Sequence, residues 1–196
     1  MKPQPNPETP RLAPSLALPI AYPLDDFYAR AGQPLPEIQQ IPAEQVPEPY
    51  KTLLVHHNDM TPTLERFHQD PVRLRVLRSD TREIYYFREV VLTLSRDDTP
   101  VEFGAIKINL ALFPPNARKL ILEEREPLGH ILGSCHLVHS SRPKAFLSIQ
   151  SDTLIAESLG LTRPSLLYGR RNTLSDPQQR PLAEVVEIIP PTPLKP

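Results

Sequence analysis

From Val72 onward apolar and polar positions alternate with a period of two, in runs long enough for strands. Val72 to Leu77 sets Val, Leu and Val against Arg, the signature of a half-buried strand. Ile84 to Leu94 and Val101 to Leu112 predict two long strands, joined by the turn Arg96-Asp97-Asp98-Thr99-Pro100. Cys135 to Ser140 and Ala145 to Ile149 predict two more. A last hairpin, Ser165 to Leu174 and Pro181 to Ile189, closes on Ser175-Asp176-Pro177-Gln178-Gln179. Helical spacing occurs between these runs. Tyr50 to His57 and Thr61 to His68 form a predicted helix-turn-helix hairpin, with Asp59 or Thr61 as cap and Pro62 in the first turn. Pro114-Pro115 opens a helix through Glu124, Pro127-Leu128-Gly129 opens a short one to Leu132, and Asp152 caps one that Gly160 ends. The pattern predicts an α+β fold, an antiparallel sheet with helices packed on it.

Residues 1–49 break the pattern. They hold 12 of the 26 prolines, whose missing N–H groups interrupt regular ladders. This segment is expected to be a Pro-rich N-terminal arm, extended along the domain formed by residues 50–196 or partly disordered, with a short helix at Asp25 to Ala31 closed by Gly32. A Pro-rich docking ligand is the other use of such a segment. The apolar run Leu12 to Leu24 is cut by Pro14, Pro19 and Pro23 and falls short of the ~20 residues that span a bilayer. A signal peptide is poorly supported, since Pro3, Pro5 and Pro7 follow Lys2 at once.

Composition narrows the function. With 22 basic and 23 acidic residues the chain has no basic field for phosphate backbones, so nucleic acid is not an expected partner. Cys135 is the single cysteine, which excludes a disulfide framework and suits a reducing, cytoplasmic setting. There are six glycines and no phosphate-cradling loop. His56, His57 and His68, with His130, His136 and His139, match no standard zinc spacing, so no metal is expected. Ser134-Cys135-His136 is not a nucleophile and its base, because strand neighbours point to opposite faces.

The residue with most to explain is Arg88. Alternation puts Ile84, Tyr86, Arg88, Val90, Leu92 and Leu94 on one face, with Arg88 its only charge. A guanidinium cannot shed its proton, so burying it requires an anion and acceptors for its fork of donors. That anion is either a protein carboxylate or the carboxylate of a ligand. The last strand offers Glu187 in the row Ala183, Val185, Ile189, or Glu184 in the equally apolar row Leu182, Val186, Ile188, and alternation does not choose between them. A glutamate there is either exposed on an edge or buried, and a buried one would handle protons near neutral pH.

Four segments, in order, resemble the chorismate pyruvate-lyase family: Leu53-Leu54 with Asp59-Met60-Thr61; Tyr86-Phe87-Arg88-Glu89-Val90; Glu126-Pro127-Leu128-Gly129-His130-Ile131-Leu132; and Tyr168-Gly169-Arg170-Arg171-Asn172 with Arg180-Pro181-Leu182 and Glu187. The resemblance covers Leu53 to Pro190. It implies a chorismate lyase-like fold, with helix-turn-helix flaps over a buried ligand site, and favours Glu187 over Glu184. It implies elimination of pyruvate from chorismate to give 4-hydroxybenzoate, without metal, cofactor or covalent intermediate. Glu187 and Arg88 would be the catalytic pair, Arg88 and the backbone at Leu128 and Gly129 holding the ring carboxylate and Glu187 meeting the ring hydroxyl. Met60 and Thr61 would cover the ring, and Lys107 or Arg170 would take the pyruvyl carboxylate. The family's Gly-Arg after the first hairpin is Gly104-Ala105 here, so Lys107 would supply the missing charge; Tyr168 and Asn172 replace its Trp and Ser, and Ser141 to Arg163 is longer, with an extra helix. The alternatives are a non-catalytic binding protein for an aromatic carboxylate on the same fold, and a protein-interaction partner with Arg88 paired internally to Glu187. No DNA-binding domain is expected ahead of the domain, given the arm's prolines.

Overall fold

A computed structural model describes residues 18–191. The first part of the arm, including Pro3, Pro5, Pro7 and Pro14, lies outside the described residues. Seven strands form one antiparallel sheet: β1 (Glu37–Ile41), β2 (Val72–Arg82), β3 (Tyr85–Leu94), β4 (Pro100–Asn109), β5 (Ser140–Gln150), β6 (Leu166–Ser175) and β7 (Pro181–Ile189), in the order β1-β5-β6-β7-β4-β3-β2. Six α-helices accompany it among the described residues: α1 (Leu24–Arg30), α2 (Tyr50–Leu54), α3 (Met60–His68), α4 (Pro115–Leu122), α5 (Leu128–Ser134) and α6 (Thr153–Ser158).

Two layers of helix cover the two faces. On one, α1 and α6 bury Leu24, Phe27, Tyr28 and Ile155 against Phe87, Val91, Phe103, Val186 and Ile188. On the other, α4 and α5 pack over Tyr86, Ile106, Ile108 and Val185, while α2 and α3 pack over Leu92, Leu94 and Ile189. The predicted Arg88 face is this second one, except that Ile84 sits in the turn before β3 and is 45% exposed.

Other boundaries moved for local reasons. β2 runs five residues past Leu77 because a bulge between Val76 and Arg78 resets the ladder, breaking the alternation that defined the strand. β4 ends at Asn109, whose side chain accepts from Ala111 N–H (3.2 Å) and starts a 3-10 turn through Leu112. The strand predicted at Cys135 to Ser140 is instead the cap of α5 and a loop, with only Ser140 in a strand, β5: His136 takes a left-handed conformation (φ 52°), and Leu137 N–H closes on Leu132 C=O at 2.9 Å. The α6 cap is as predicted, Asp152 accepting from Ile155 N–H at 2.9 Å. The later part of the arm packs on the sheet: Leu24, Phe27 and Tyr28 of α1 are buried, and β1 pairs in register with β5 from Glu37↔Gln150 to Ile41↔Phe146.

Candidate functional site

β3, β4, β7 and β6 lie side by side, and their register sets the floor of a cavity. Arg88, Ile106, Val185 and Asn172 form one rung across the four strands. Val90, Gly104, Glu187 and Arg170 form the next, and Leu92 and Glu102 lie one rung further. All these side chains rise on the face covered by α3 and α5. Asp59, Met60 and Thr61 at the start of α3, and Pro127, Leu128 and Gly129 at the start of α5, complete a cavity of about 60 Å³. Two glycines make the space. A Cβ on Gly104 would stand 3.1 Å from a Glu102 carboxylate oxygen and 3.2 Å from Val90, filling the floor. A Cβ on Gly129 would meet Thr61 Oγ1 at 2.7 Å, so its absence lets the two flaps touch.

The predicted site residues separate into three groups. Met60, Thr61, Arg88, Leu128, Gly129 and Glu187, distant in sequence, all line the cavity. Lys107 does not. It belongs to the row of Phe103 and Ala105, facing the opposite side of the sheet, where its ammonium lies 3.9 Å from the Tyr85 ring centroid. Lys107 therefore brings no charge to the cavity, contrary to the expectation from the sequence. Arg170 is fully buried beside the cavity with its donors already engaged: Nε to Glu187, Nη1 to the carbonyls of Leu54 (3.2 Å) and His56 (3.1 Å), and Nη2 to that of Asn58 (3.1 Å). It fastens the α2–α3 connection to β6 rather than presenting a free fork. His56 lies in that connection, its Nε2–H donating to Leu53 C=O (2.7 Å) and its Nδ1 accepting from Asn58 N–H (3.1 Å). Burial and the adjacent Arg170 hold its pKa below the usual imidazole range, which suits a neutral ring.

Arg88 is in the opposite condition. It is 2% exposed, it makes no ion pair among the described residues, and its Nε and Nη1 have no hydrogen-bond partner. Burial pushes its pKa down, while Tyr86 and, beyond it, Glu124 act in the other direction. Tyr86 donates its hydroxyl proton to Glu124, and its oxygen bonds Arg88 in turn, leaving Nε and Nη1 as the unpartnered nitrogens. The internal Arg88–Glu187 pair is absent, because Glu187 is taken by Arg170. Neither glutamate of β7 is on an edge, since that strand is the centre of the sheet. Glu184 faces the other side, bonded by Thr173 (2.8 Å) and 3.5 Å from Arg171.

Two polar residues of the cavity floor were not singled out as ligand contacts. Glu102 is buried, its Oε2 has no partner, and burial first, then the neighbouring Glu187, raises its pKa well above the usual carboxyl range. Asn172 donates to Ser141 Oγ (2.9 Å) and leaves its carbonyl oxygen unpaired. The signal for Glu102 was the one that found Arg88: in the row Glu102, Gly104, Ile106, Ile108 it is the lone charge.

The flaps are tied down at their outer edges. His130 of α5 lies 2.9 Å from Glu65 of α3, and His139 lies 2.8 Å from Asp59. Among the described residues no group of histidine, cysteine and carboxylate side chains is arranged to hold a metal, and no helix is long and apolar enough to cross a membrane.

The chain matches no protein-family model and no curated protein in sequence. Its likeness to known proteins is structural. PhnF from Mycobacterium smegmatis superposes with a TM-score of 0.51 at 11% identity, over 69% of this chain and 65% of that one. The effector domain of the same regulator gives a TM-score of 0.51 at 11% identity, over 67% of this chain and 87% of the domain. The C-terminal domain of the histidine utilization repressor from Pseudomonas syringae covers 64% of this chain and 96% of its own length at 14% identity, with a TM-score of 0.42. This chain thus spans just under two thirds of full PhnF and most of its effector domain. At these identities the likeness is one of fold. The α+β fold expected from the sequence, an antiparallel sheet with helices packed on it, is present and is shared with PhnF and its effector domain.

Proposed function

We propose that this chain binds a small ring-shaped monocarboxylate in the cavity between the sheet and the α3 and α5 flaps, with Arg88 as its anchor. The observation that carries the reading is Arg88 itself: a buried guanidinium with two unpartnered nitrogens and no ion pair among the described residues, the carboxylate that acts on it, Glu124, standing behind Tyr86. An orphaned buried charge is costly, and a ligand carboxylate docked on the fork supplies both charge and acceptors. Leu128 and Gly129 bring the backbone of α5 to the same cavity, and Met60 caps its apolar side. The cavity is smaller than the ~150 Å³ that takes a benzene ring, so binding a ring moves α3 and α5 apart. A fold shared with the effector domain of PhnF supports binding as the role.

Charge count sets binding ahead of pyruvate elimination. Chorismate carries two carboxylates, and Arg88 is the only cationic side chain that lines the cavity among the described residues. Lys107 faces away and Arg170 is occupied. The lyase reading keeps one specific support, the convergence of Glu187, Met60 and Leu128 on Arg88. Calorimetric titration with 4-hydroxybenzoate is expected to show binding that falls at least ~100-fold in Arg88→Met, in line with loss of a buried charged hydrogen-bond pair. Incubation with chorismate is expected to release no pyruvate, and sustained pyruvate release would sink the binding-only reading in favour of the lyase.

A further inference from the structure

The end of the cavity away from Arg88 is built differently, and this sets which ligands it accepts. Glu102 and Glu187 occupy neighbouring rungs on adjacent strands, across the gap that Gly104 leaves open. Two carboxyl groups so close, both buried, do not both ionise unless each has a counter-charge. Arg170 supplies one, and its Nε contacts Glu187. No second cation pairs with Glu102: Arg170 acts on it only from its place on Glu187, it makes no ion pair among the described residues, and its Oε2 lacks any hydrogen-bond partner. Glu187 thus has a cationic partner and Glu102 has none, and burial with the adjacent Glu187 raises the Glu102 pKa well above the usual carboxyl range.

We propose that Glu102 is the specificity-determining residue of this site: its carboxyl O–H donates to an uncharged hydroxyl at the ligand's far end, which in turn donates to the Glu187 carboxylate. The inference rests on the carboxylate-binding reading of Arg88 and adds the second half of the ligand. A hydroxyl both accepts and donates, and so satisfies the acid and the carboxylate together. A second carboxylate at that end meets Glu187 with no free cation, and a bare ring edge leaves Glu102 unpaired. The geometry fits a short ligand. Arg88 and Glu187 lie two strands and one rung apart, which places their Cα atoms ~12 Å apart at ordinary sheet spacings, and both side chains lean into the intervening space.

The test is a cycle between protein and ligand. Benzoate, 4-hydroxybenzoate and terephthalate are titrated against the wild-type chain, Glu102→Gln and Glu102→Leu, with circular dichroism and thermal melts to establish folding. Wild type is expected to prefer 4-hydroxybenzoate over benzoate by at least ~30-fold, since a site built to bond a hydroxyl strongly rejects the analogue lacking it, and to bind terephthalate weakest. Glu102→Gln, neutral and still a donor, keeps the preference within ~3-fold. Glu102→Leu brings 4-hydroxybenzoate down to the affinity of benzoate while leaving benzoate unchanged or tighter. Equal binding of benzoate and 4-hydroxybenzoate by wild type, with both lost in Arg88→Met, overturns the Glu102 role and leaves the carboxylate site standing. Loss of the preference in a folded Glu102→Gln also overturns it, because the residue would then be acting through a carboxylate charge, which Gln lacks. Failure of wild type to bind any of the three acids overturns the carboxylate site and this inference with it. If Glu102→Leu does not fold, the wild-type and Glu102→Gln comparisons decide.

Discussion

Two fully buried arginines, Arg88 and Arg170, stand on neighbouring rungs of one sheet and have opposite surroundings. Arg170 is satisfied by the chain itself: a carboxylate on Nε, three carbonyls on its other nitrogens, and a strand and a helical connection held together as a result. Arg88 has no carboxylate and two idle nitrogens, and it faces a cavity. Burial is common to both and therefore identifies neither as a binding residue. What separates them is the hydrogen-bond inventory: a saturated guanidinium is part of the scaffold, and an unsaturated one is complete only with something that is not protein.

The largest expected effect breaks the saturated member. Arg170→Met leaves the Glu187 carboxylate buried without its counter-charge and removes the donors to Leu54, His56 and Asn58, so urea denaturation should show a loss of about 3–5 kcal/mol. Arg88→Met should do the reverse. It replaces an unpaired buried charge by an apolar chain of similar length, and the unfolding free energy should lie between unchanged and about 3 kcal/mol higher, even as ligand binding is lost. If Arg88→Met destabilises the protein as much as Arg170→Met does, the contrast fails and Arg88 is a scaffold residue. The roof over Arg88 gives a smaller effect. Gly129→Ala drives a methyl into Thr61 and is expected to cost about 1–2 kcal/mol. Gly129→Ala/Thr61→Gly, which removes both Thr61 atoms that the methyl meets, should cost less than the sum of the two single changes, and as much as that sum if the clash is relieved elsewhere.

The same contrast explains what the sequence disclosed. Arg88 was legible because one charge in the row Tyr86, Val90, Leu92, Leu94 has no innocent reading. Glu102 obeys the same rule, yet it lies two residues after Pro100 at a hairpin end, where a charge is ordinary, and the pattern alone does not show that the chain there is already covered by α3. Lys107 was misplaced for want of register. Alternation gives two rows on β4, and only the pairing Arg88↔Ile106 shows that the row facing the cavity is Glu102, Gly104 and Ile106 rather than Ala105 and Lys107. Arg170 was legible as a charge in the right strand, but its role depends on carbonyls of Leu54, His56 and Asn58 more than a hundred residues away, and carbonyls carry no sequence signal. β1 was hidden by Pro34, Pro36 and Pro42, which crowd a five-residue edge strand whose partner, β5, lies far along the chain.

The smallest effect concerns the latch beside the residues that Arg170 holds. Asp59, one residue after the carbonyl of Asn58 that Arg170 fixes, opens α3 and pairs with His139 at 2.8 Å. The Asp59 carboxylate, against the opposing cost of burial, raises the His139 pKa above its ordinary value near 6.5. A histidine that binds its proton more tightly when folded adds stability that is fully present below the ordinary value and fades as pH rises through the raised one. The pair should contribute less than about 1 kcal/mol, lost toward alkaline pH. Buried carboxyls with raised pKa values, Glu89, Glu102 and Glu184 among them, also make stability fall as pH rises, so the wild-type profile alone is not diagnostic. The difference between wild type and His139→Gln removes that common background. Urea denaturation of both between pH 5.5 and 8.5 should show a gap that is widest at the acid end and closes as His139 loses its proton. A gap independent of pH would mean that His139 holds Asp59 by a hydrogen bond alone, and that the flap over Arg88 carries no charge-dependent fastening at this corner.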